Sequence, residues 1–288
     1  MRRQYSILVM FILATFSLMC SAKDAEILKK STEVVVTDEE TLKTYCSPAD
    51  NLNWVVGNQE CLKIITLERD KSISLDTLVV YLHGDGSRVV RPSDYLKRVA
   101  SRIDQENVAH VILMRPGYFD STKNSSTGVS HRKSRRGTSY NSHNVEEIAL
   151  AIKNLKDHHQ PNKTIIVGHS GGAAIAALIL GRHRGIAKGA ILAACPCDVS
   201  KWVKMLGKSS GKTALSPHDY VENIGLDVSV IALTGTQDNN TFPILAIEYI
   251  EKLKKNNIDG KFVAVEGETH NGVTRSPEFY DAINEMIN

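Results

Sequence analysis

The sequence predicts an α/β fold in which a mostly parallel sheet is covered by helices on both faces. Three observations predict it. Short, nearly continuous apolar runs at 75–82, 108–114, 164–167, 187–194 and 228–234 read as strands buried on both sides. Amphipathic segments with apolar residues at helical spacing alternate with them, the pattern of repeated strand–helix units. The 288 residues are 42% hydrophobic, with no internal repeat and no shift in composition to suggest a second domain.

The first residues stand apart from that pattern. Arg2 and Arg3 precede an apolar run over 7–19, which is followed by the small residues Ser21 and Ala22. This reads as a secretory signal peptide over 1–22, cut before Lys23, and the run is short for a membrane span. Lipid attachment at Cys20 is the alternative, although Met19 stands where such signals prefer a small residue. Loss of the two arginines lowers the formal charge from +3 to +1. So balanced a chain offers no electrostatic case for a nucleic-acid or anionic-membrane partner.

The elements then follow in order. Residues 23–60 form a mixed, polar N-terminal extension with one β-like run at 33–37, and the domain proper spans 61–288. Residues 61–68 alternate well enough for a strand near a sheet edge. The buried strand 75–82 ends in His83-Gly84-Asp85-Gly86, a glycine-rich turn able to free backbone amides. An amphipathic helix over 92–106 carries Tyr95, Leu96, Val99 and Ile103 on one face. Strand 108–114 leads to Arg115-Pro116-Gly117-Tyr118, and 119–142 reads as a long connection over the site or substrate-contacting surface. Its basic stretch 131–136 reads as a solvated loop.

A helix over 144–158 buries Val145, Ile148, Ala149, Ile152 and Leu155. Strand 164–167, helix 171–180 and strand 187–194 come next. Residues 198–227 hold short mixed elements, too few for an elaborate lid. Strand 228–234, helix 242–256, strand 261–265 and a last helix opening at Ser276 or Pro277 complete the chain.

Cysteine usage agrees with export. Cys46 and Cys61 could close one bridge in an oxidising compartment. Cys195 and Cys197, around Pro196, read as two buried thiols too close for an unstrained mutual bond.

The chemistry centres on Gly168-His169-Ser170-Gly171-Gly172. Four β-branched residues precede it and an Ala/Ile/Leu run follows, so Ser170 sits where a strand turns sharply into a helix. A serine at such a corner exposes its Oγ, and the amide of Gly171 can face a developing oxyanion. Read blandly, Ser170 merely caps the helix. A serine nucleophile needs a base, and the base needs a carboxylate to orient it. Asp238 and His270 follow later strand ends in the order serine, acid, histidine, and such ends are where reactive groups gather in these sheets. Asp198 is a rival acid. His83 and His169 read as structural residues beside their motifs, and His158, His159 and His218 as surface or helix-end histidines.

Together with Gly235-Thr236-Gln237-Asp238 and Gly267-Glu268-Thr269-His270, these motifs resemble an α/β-hydrolase from Cys61 to the C-terminus. The stretch 216–224 resembles the prolyl-oligopeptidase-like and dienelactone-hydrolase-like branches. The resemblance implies a three-layer α/β-hydrolase fold with a minimal lid. It also implies Ser170 as nucleophile, His270 as general base and acid, and Asp238 as orienting carboxylate. The oxyanion hole would combine Gly171 with Gly84 or Asp85. With no propeller preceding the domain, the expected activity is that of an exported serine hydrolase on carboxylic esters. A peptidase or amidase, or a catalytically silent binding protein on this fold, is the alternative. No histidine–carboxylate cluster has metal spacing, and Gly84-Asp85-Gly86 lacks the rest of a dinucleotide fingerprint. The expected partner is therefore a small ester or short peptide, with no metal or cofactor.

Overall fold

The computed structural model describes Cys46 and residues 53–67, 69, 72–86, 92–103, 105–121, 125–130 and 137–288. The signal-peptide segment, the run at 33–37 and the basic stretch 131–136 lie outside the described residues.

Eight strands of the described residues join one sheet: β1 (Trp54–Val56), β2 (Cys61–Thr66), β3 (Thr77–Leu82), β4 (Val108–Leu113), β5 (Lys163–His169), β6 (Gly189–Ala193), β7 (Ser229–Gly235) and β8 (Asp259–Val265). Their spatial order is β1-β2-β4-β3-β5-β6-β7-β8, antiparallel at β1–β2 and β2–β4 and parallel from β4 onward. The helices are α1 (Pro92–Ala100), α2 (Ser142–His159), α3 (Gly171–Arg182), α4 (Val199–Met205), α5 (Pro243–Lys255) and α6 (Pro277–Ile287).

Strand alternation divides the core into two layers. Leu78, Val80, Leu82 and Ile166 pack with α2, α3 and α5 on one face of the sheet. Val79, Tyr81, Ile165 and Val167 pack with α1 and α6 on the other. Helix α3 is buried along almost its whole length, which explains why it lacks a polar stripe.

Register sets the site. Leu82 of β3 lies opposite Gly168 of β5, so the His83 turn and the Ser170 corner leave the sheet side by side. At the far edge, Gly235 of β7 lies opposite Val265 of β8, which brings the Asp238 and His270 loops together.

Three features differ from the sequence reading. The sheet reaches back into the segment read as an extension, where the three residues of β1 are too few to show alternation. Helix α1 ends at Ala100, and residues 101–103 continue as a turn with Arg102 and Ile103 amides bonded three residues back. Cys195 and Cys197 are not two thiols but a disulfide. The chain bends around Pro196 so that their Cα atoms are 5.1 Å apart. A fully extended pair would stand about 7 Å apart, too far to bridge comfortably. Cys46 is bridged to Cys61. No described helix is long and apolar enough to cross a membrane.

Candidate active site

Ser170 occupies the corner between β5 and α3 at φ 53° and ψ −118°, a strained conformation for any residue with a side chain. The glycines around it are there for lack of room. A Cβ on Gly168 would lie 2.5 Å from the Gly172 carbonyl oxygen, and one on Gly172 only 2.1 Å from that of Leu82. The turn can therefore press against β3 and α3 only with bare backbone at both positions.

The other two predicted side chains meet Ser170 in a continuous hydrogen-bonded chain. His270 Nε2 is 3.0 Å from Ser170 Oγ, and its Nδ1 is 2.9 Å from Asp238 Oδ2. With Nδ1–H donating to the carboxylate, Nε2 is left to accept the serine proton. Asp238 is itself gripped by its own loop. Its Oδ1 accepts the amides of Asn240 and Thr241, each at 2.8 Å, and its Oδ2 accepts the Thr241 hydroxyl at 2.7 Å. Burial alone would raise this carboxyl, but the bonds from His270 and Thr241 outweigh it and hold the group below its ordinary range.

The rival acid has other work. Asp198 caps α4, accepting the Lys201 amide at 2.9 Å, while Asp238 holds the His270 Nδ1. His83 is fully buried, with Nε2 accepting the Arg115 amide at 3.1 Å and Nδ1 donating to the Gly84 carbonyl at 2.7 Å. His158 and His159 end α2, with His218 in a 3₁₀ turn over Pro217–Asn223.

The two candidates for the second oxyanion donor separate here. The Gly84 amide donates to Tyr95 Oη at 3.1 Å and is thereby used within the protein. Among the described residues, the amides of Asp85 and Gly171 have no acceptor; Asp85 lines the cavity at Ser170, and Gly171 directly follows Ser170 at the start of α3. The Asp85 side chain folds away onto Gly171, where an added Cβ would lie 2.3 Å from Oδ1 and 2.8 Å from Arg115 Nη1. It is held there by Arg115 at 2.6 Å and by the Tyr140 hydroxyl at 2.6 Å.

His169 fastens the parts together. Its Nε2 donates to the backbone carbonyl of His270 at 3.0 Å, and its Nδ1 accepts from Tyr95 Oη at 3.2 Å. One buried imidazole thus links the serine corner, the histidine loop and α1. Burial, aided by repulsion from His270, pulls its pKa down to about 4 and keeps the ring neutral.

Sequence reasoning missed Thr241, Tyr95, Arg115 and Tyr140. Thr241 had a readable signal, since a threonine three residues after a loop aspartate often closes an Asx-type turn. The other three come from separate elements, and no local pattern marks them. Among the described residues no group of three potential metal ligands occurs.

A cavity of about 760 Å³ opens over Ser170 and His270, flanked by Tyr95, Trp202 and Tyr280. It can take a substrate whose carbonyl sits against Ser170 Oγ with its oxygen at the free amides.

Comparison with known proteins agrees with this geometry. Residues 74–218 match a family model described as serine aminopeptidase, S33. The structure is similar to an esterase of Pyrococcus furiosus, with a TM-score of 0.62, 14% identity, and 81% of this chain and 88% of the other covered. It is similar to Est1E of Butyrivibrio proteoclasticus, solved with ferulic acid bound (TM-score 0.56, 15% identity, 81% and 95% covered). The acylaminoacyl peptidase of Pyrococcus horikoshii aligns with a TM-score of 0.60 at 13% identity, over 81% of this chain but 40% of that one. No curated protein sequence matches the chain. With half of the chain matched by the family model and the sheet order and serine corner in place, this protein belongs to the S33 serine aminopeptidase-like family of α/β hydrolases.

Proposed function

We propose that the protein is an exported serine hydrolase that cleaves carboxylic esters through an acyl-enzyme on Ser170. The observation that carries this reading is the chain Ser170 Oγ–His270–Asp238, at 3.0 and 2.9 Å, beside the amides of Gly171 and Asp85, which have no acceptor among the described residues. Ser170 Oγ attacks the ester carbonyl while His270 Nε2 takes its proton, and Asp238 stabilises the imidazolium. The carbonyl oxygen becomes an oxyanion at the two amides, and losing one such donor typically costs about 2.7–4 kcal/mol of transition-state stabilisation. His270 passes the proton to the departing alcohol. Water, deprotonated by the same imidazole, then releases the acid and restores Ser170.

The ester reading is supported by the two esterases that the alignment covers over most of their own length. The chain spans 95% of Est1E and 88% of the P. furiosus esterase, but 35% of a Porphyromonas gingivalis dipeptidyl peptidase and 40% of the acylaminoacyl peptidase. The family's description as an aminopeptidase favours the second reading, hydrolysis of a short peptide or amide. Export is supported by the leader-like first 22 residues and by two disulfides, which persist in oxidising compartments.

A fluorophosphonate probe tests the chemistry. Labelling should appear in the wild type and vanish in Ser170→Ala, whereas well-folded protein that takes no label would overturn the reading. Chromogenic esters of varied acyl length, run against aminoacyl amides, decide between the two substrates. N-terminal sequencing of the exported protein should begin at Lys23.

A further inference from the structure

The walls of the cavity are unequal in charge. Arg98, Arg102 and Arg275 all line it, and among the described residues Asp85 is its one acidic lining residue. That carboxylate is already matched by the buried guanidinium of Arg115 at 2.6 Å. The acidic residues on the neighbouring elements, Asp94 on α1 and Glu278, Asp281 and Glu285 on α6, do not line the cavity. Three positive charges therefore line one cavity of a chain whose whole formal charge is +3.

The placement is built into α1 and its turn. Tyr95, Arg98, Val99 and Arg102 stand at helical i, i+3, i+4, i+7 spacing, so one stripe presents a phenol, a valine and two guanidinium groups to the cavity. Arg275 reaches it from the short 3₁₀ turn Val273–Arg275, five residues beyond His270. Arg102 is steadied by Tyr280, with Nη1 donating to its hydroxyl at 3.0 Å and the guanidinium 5.5 Å from its ring centre. Arg98 and Arg275 form no ion pair with the described residues, so both forks remain available to a ligand. Guanidinium groups suit anionic oxygens through paired N–H donors, and a cleft with apolar walls focuses their field on what enters.

We infer that the substrate carries an anionic oxygen group besides its scissile ester, held by the cavity-lining arginines Arg98, Arg102 and Arg275 while the carbonyl lies at Ser170. This rests on the proposed ester hydrolysis and names the substrate class of the same site. The anionic group can belong to the acyl part or to the leaving part, and matched ester pairs separate the two. Mono-4-nitrophenyl glutarate against 4-nitrophenyl valerate places the charge on the acyl side. The acetate of 4-hydroxybenzoic acid against that of its methyl ester places it on the leaving side.

In one pair, kcat/KM should favour the charged ester by about tenfold or more at low salt, and the preference should shrink as ionic strength rises. Arg98→Gln, Arg102→Gln and Arg275→Gln should each pull that charged-to-neutral ratio towards one, mainly through KM. Lys153→Gln, on the outer face of α2, should leave the ratio where it is. All of these sites are exposed, so the variants should fold. Neutral esters hydrolysed as fast as charged ones, or a preference that survives the triple arginine substitution, would overturn this inference and leave the hydrolase reading standing. If folded enzyme cleaves neither member of either pair and takes no serine label, the hydrolase reading fails and this inference falls with it.

Discussion

Arg115 Nη2 lies 2.6 Å from Asp85 Oδ1, which ties the turn bearing the Asp85 amide to a guanidinium that is 2% exposed. Tyr140 holds the other carboxylate oxygen, and Tyr118 bonds both Arg115 Nη2 and the Asp85 carbonyl. Burial would raise the Asp85 carboxyl, but the Arg115 charge and the Tyr140 bond keep it below its ordinary range. A negative charge beside an oxyanion would oppose catalysis unless it were neutralised, and Arg115 neutralises it. Arg115→Met is therefore expected to lower kcat by roughly 10–100-fold with little change in KM, and to cost about 3 kcal/mol of stability in urea unfolding. Adding Asp85→Asn should recover part of the lost kcat, because it removes the uncompensated charge. A folded Arg115→Met enzyme with unchanged kcat would contradict this account.

The acid assignment makes a contrast between two aspartates. Asp238→Asn keeps the shape but reverses the polarity of the bond to His270 Nδ1, so turnover should fall by roughly 10⁴-fold. Asp198→Asn removes only a charge at the α4 cap and should leave kcat within about a factor of two, with at most about 1 kcal/mol lost in stability. Steady-state kinetics on a chromogenic ester would decide, and the opposite result would move the acid to Asp198.

His169 predicts a pH effect on stability. Its folded pKa, near 4, lies below the ordinary value of 6.5, so the unfolded chain binds the extra proton first as pH falls. Stability should therefore be full above pH 6.5 and decline between 6.5 and 4, by up to roughly 3 kcal/mol from this residue. His110 and His159, also drawn down to about 4 by burial, add slope in the same window. Thermal melts across that range should show the decline. His169→Gln should flatten part of it; an unchanged slope would mean that His169 is charged in the native state.

Close packing at the corner predicts intolerance to a single methyl. The Cβ of Gly172→Ala would meet the Leu82 carbonyl oxygen at 2.1 Å, and backbone on both sides leaves it nowhere to move. The variant should lose at least about 3 kcal/mol or fail to fold, as overpacking does where nothing can yield. Gly185→Ala offers the comparison. Nothing lies near its Cβ, so only the strain of its positive φ, about 1 kcal/mol, should register.

The two bridges predict a thiol count. Protein lacking residues 1–22 keeps four cysteines, all paired. Titration under denaturing conditions should find no free thiol before reduction and four after it. Two free thiols before reduction would remove one bridge, and peptide mapping would say which.

Strand and helix order, the serine corner, and the Asp238 and His270 loops could all be read from the sequence alone. These signals are local: apolar period, glycine spacing, and position just past a strand end. The same reasoning chose Asp238 as the acid but kept Asp198 as a rival, and gave Gly84 or Asp85 as the second donor, because each of these residues follows a strand end. In the tertiary structure the members of each pair differ in what they touch. The register of β7 with β8 brought Asp238 to His270, and Tyr95, arriving from α1, claimed the Gly84 amide. The charge balance of Arg115 with Asp85 and the arginines lining the cavity are likewise products of chain segments meeting in space. Local periodicity determines which elements form, whereas distances between groups far apart in the chain are set by how those elements pack.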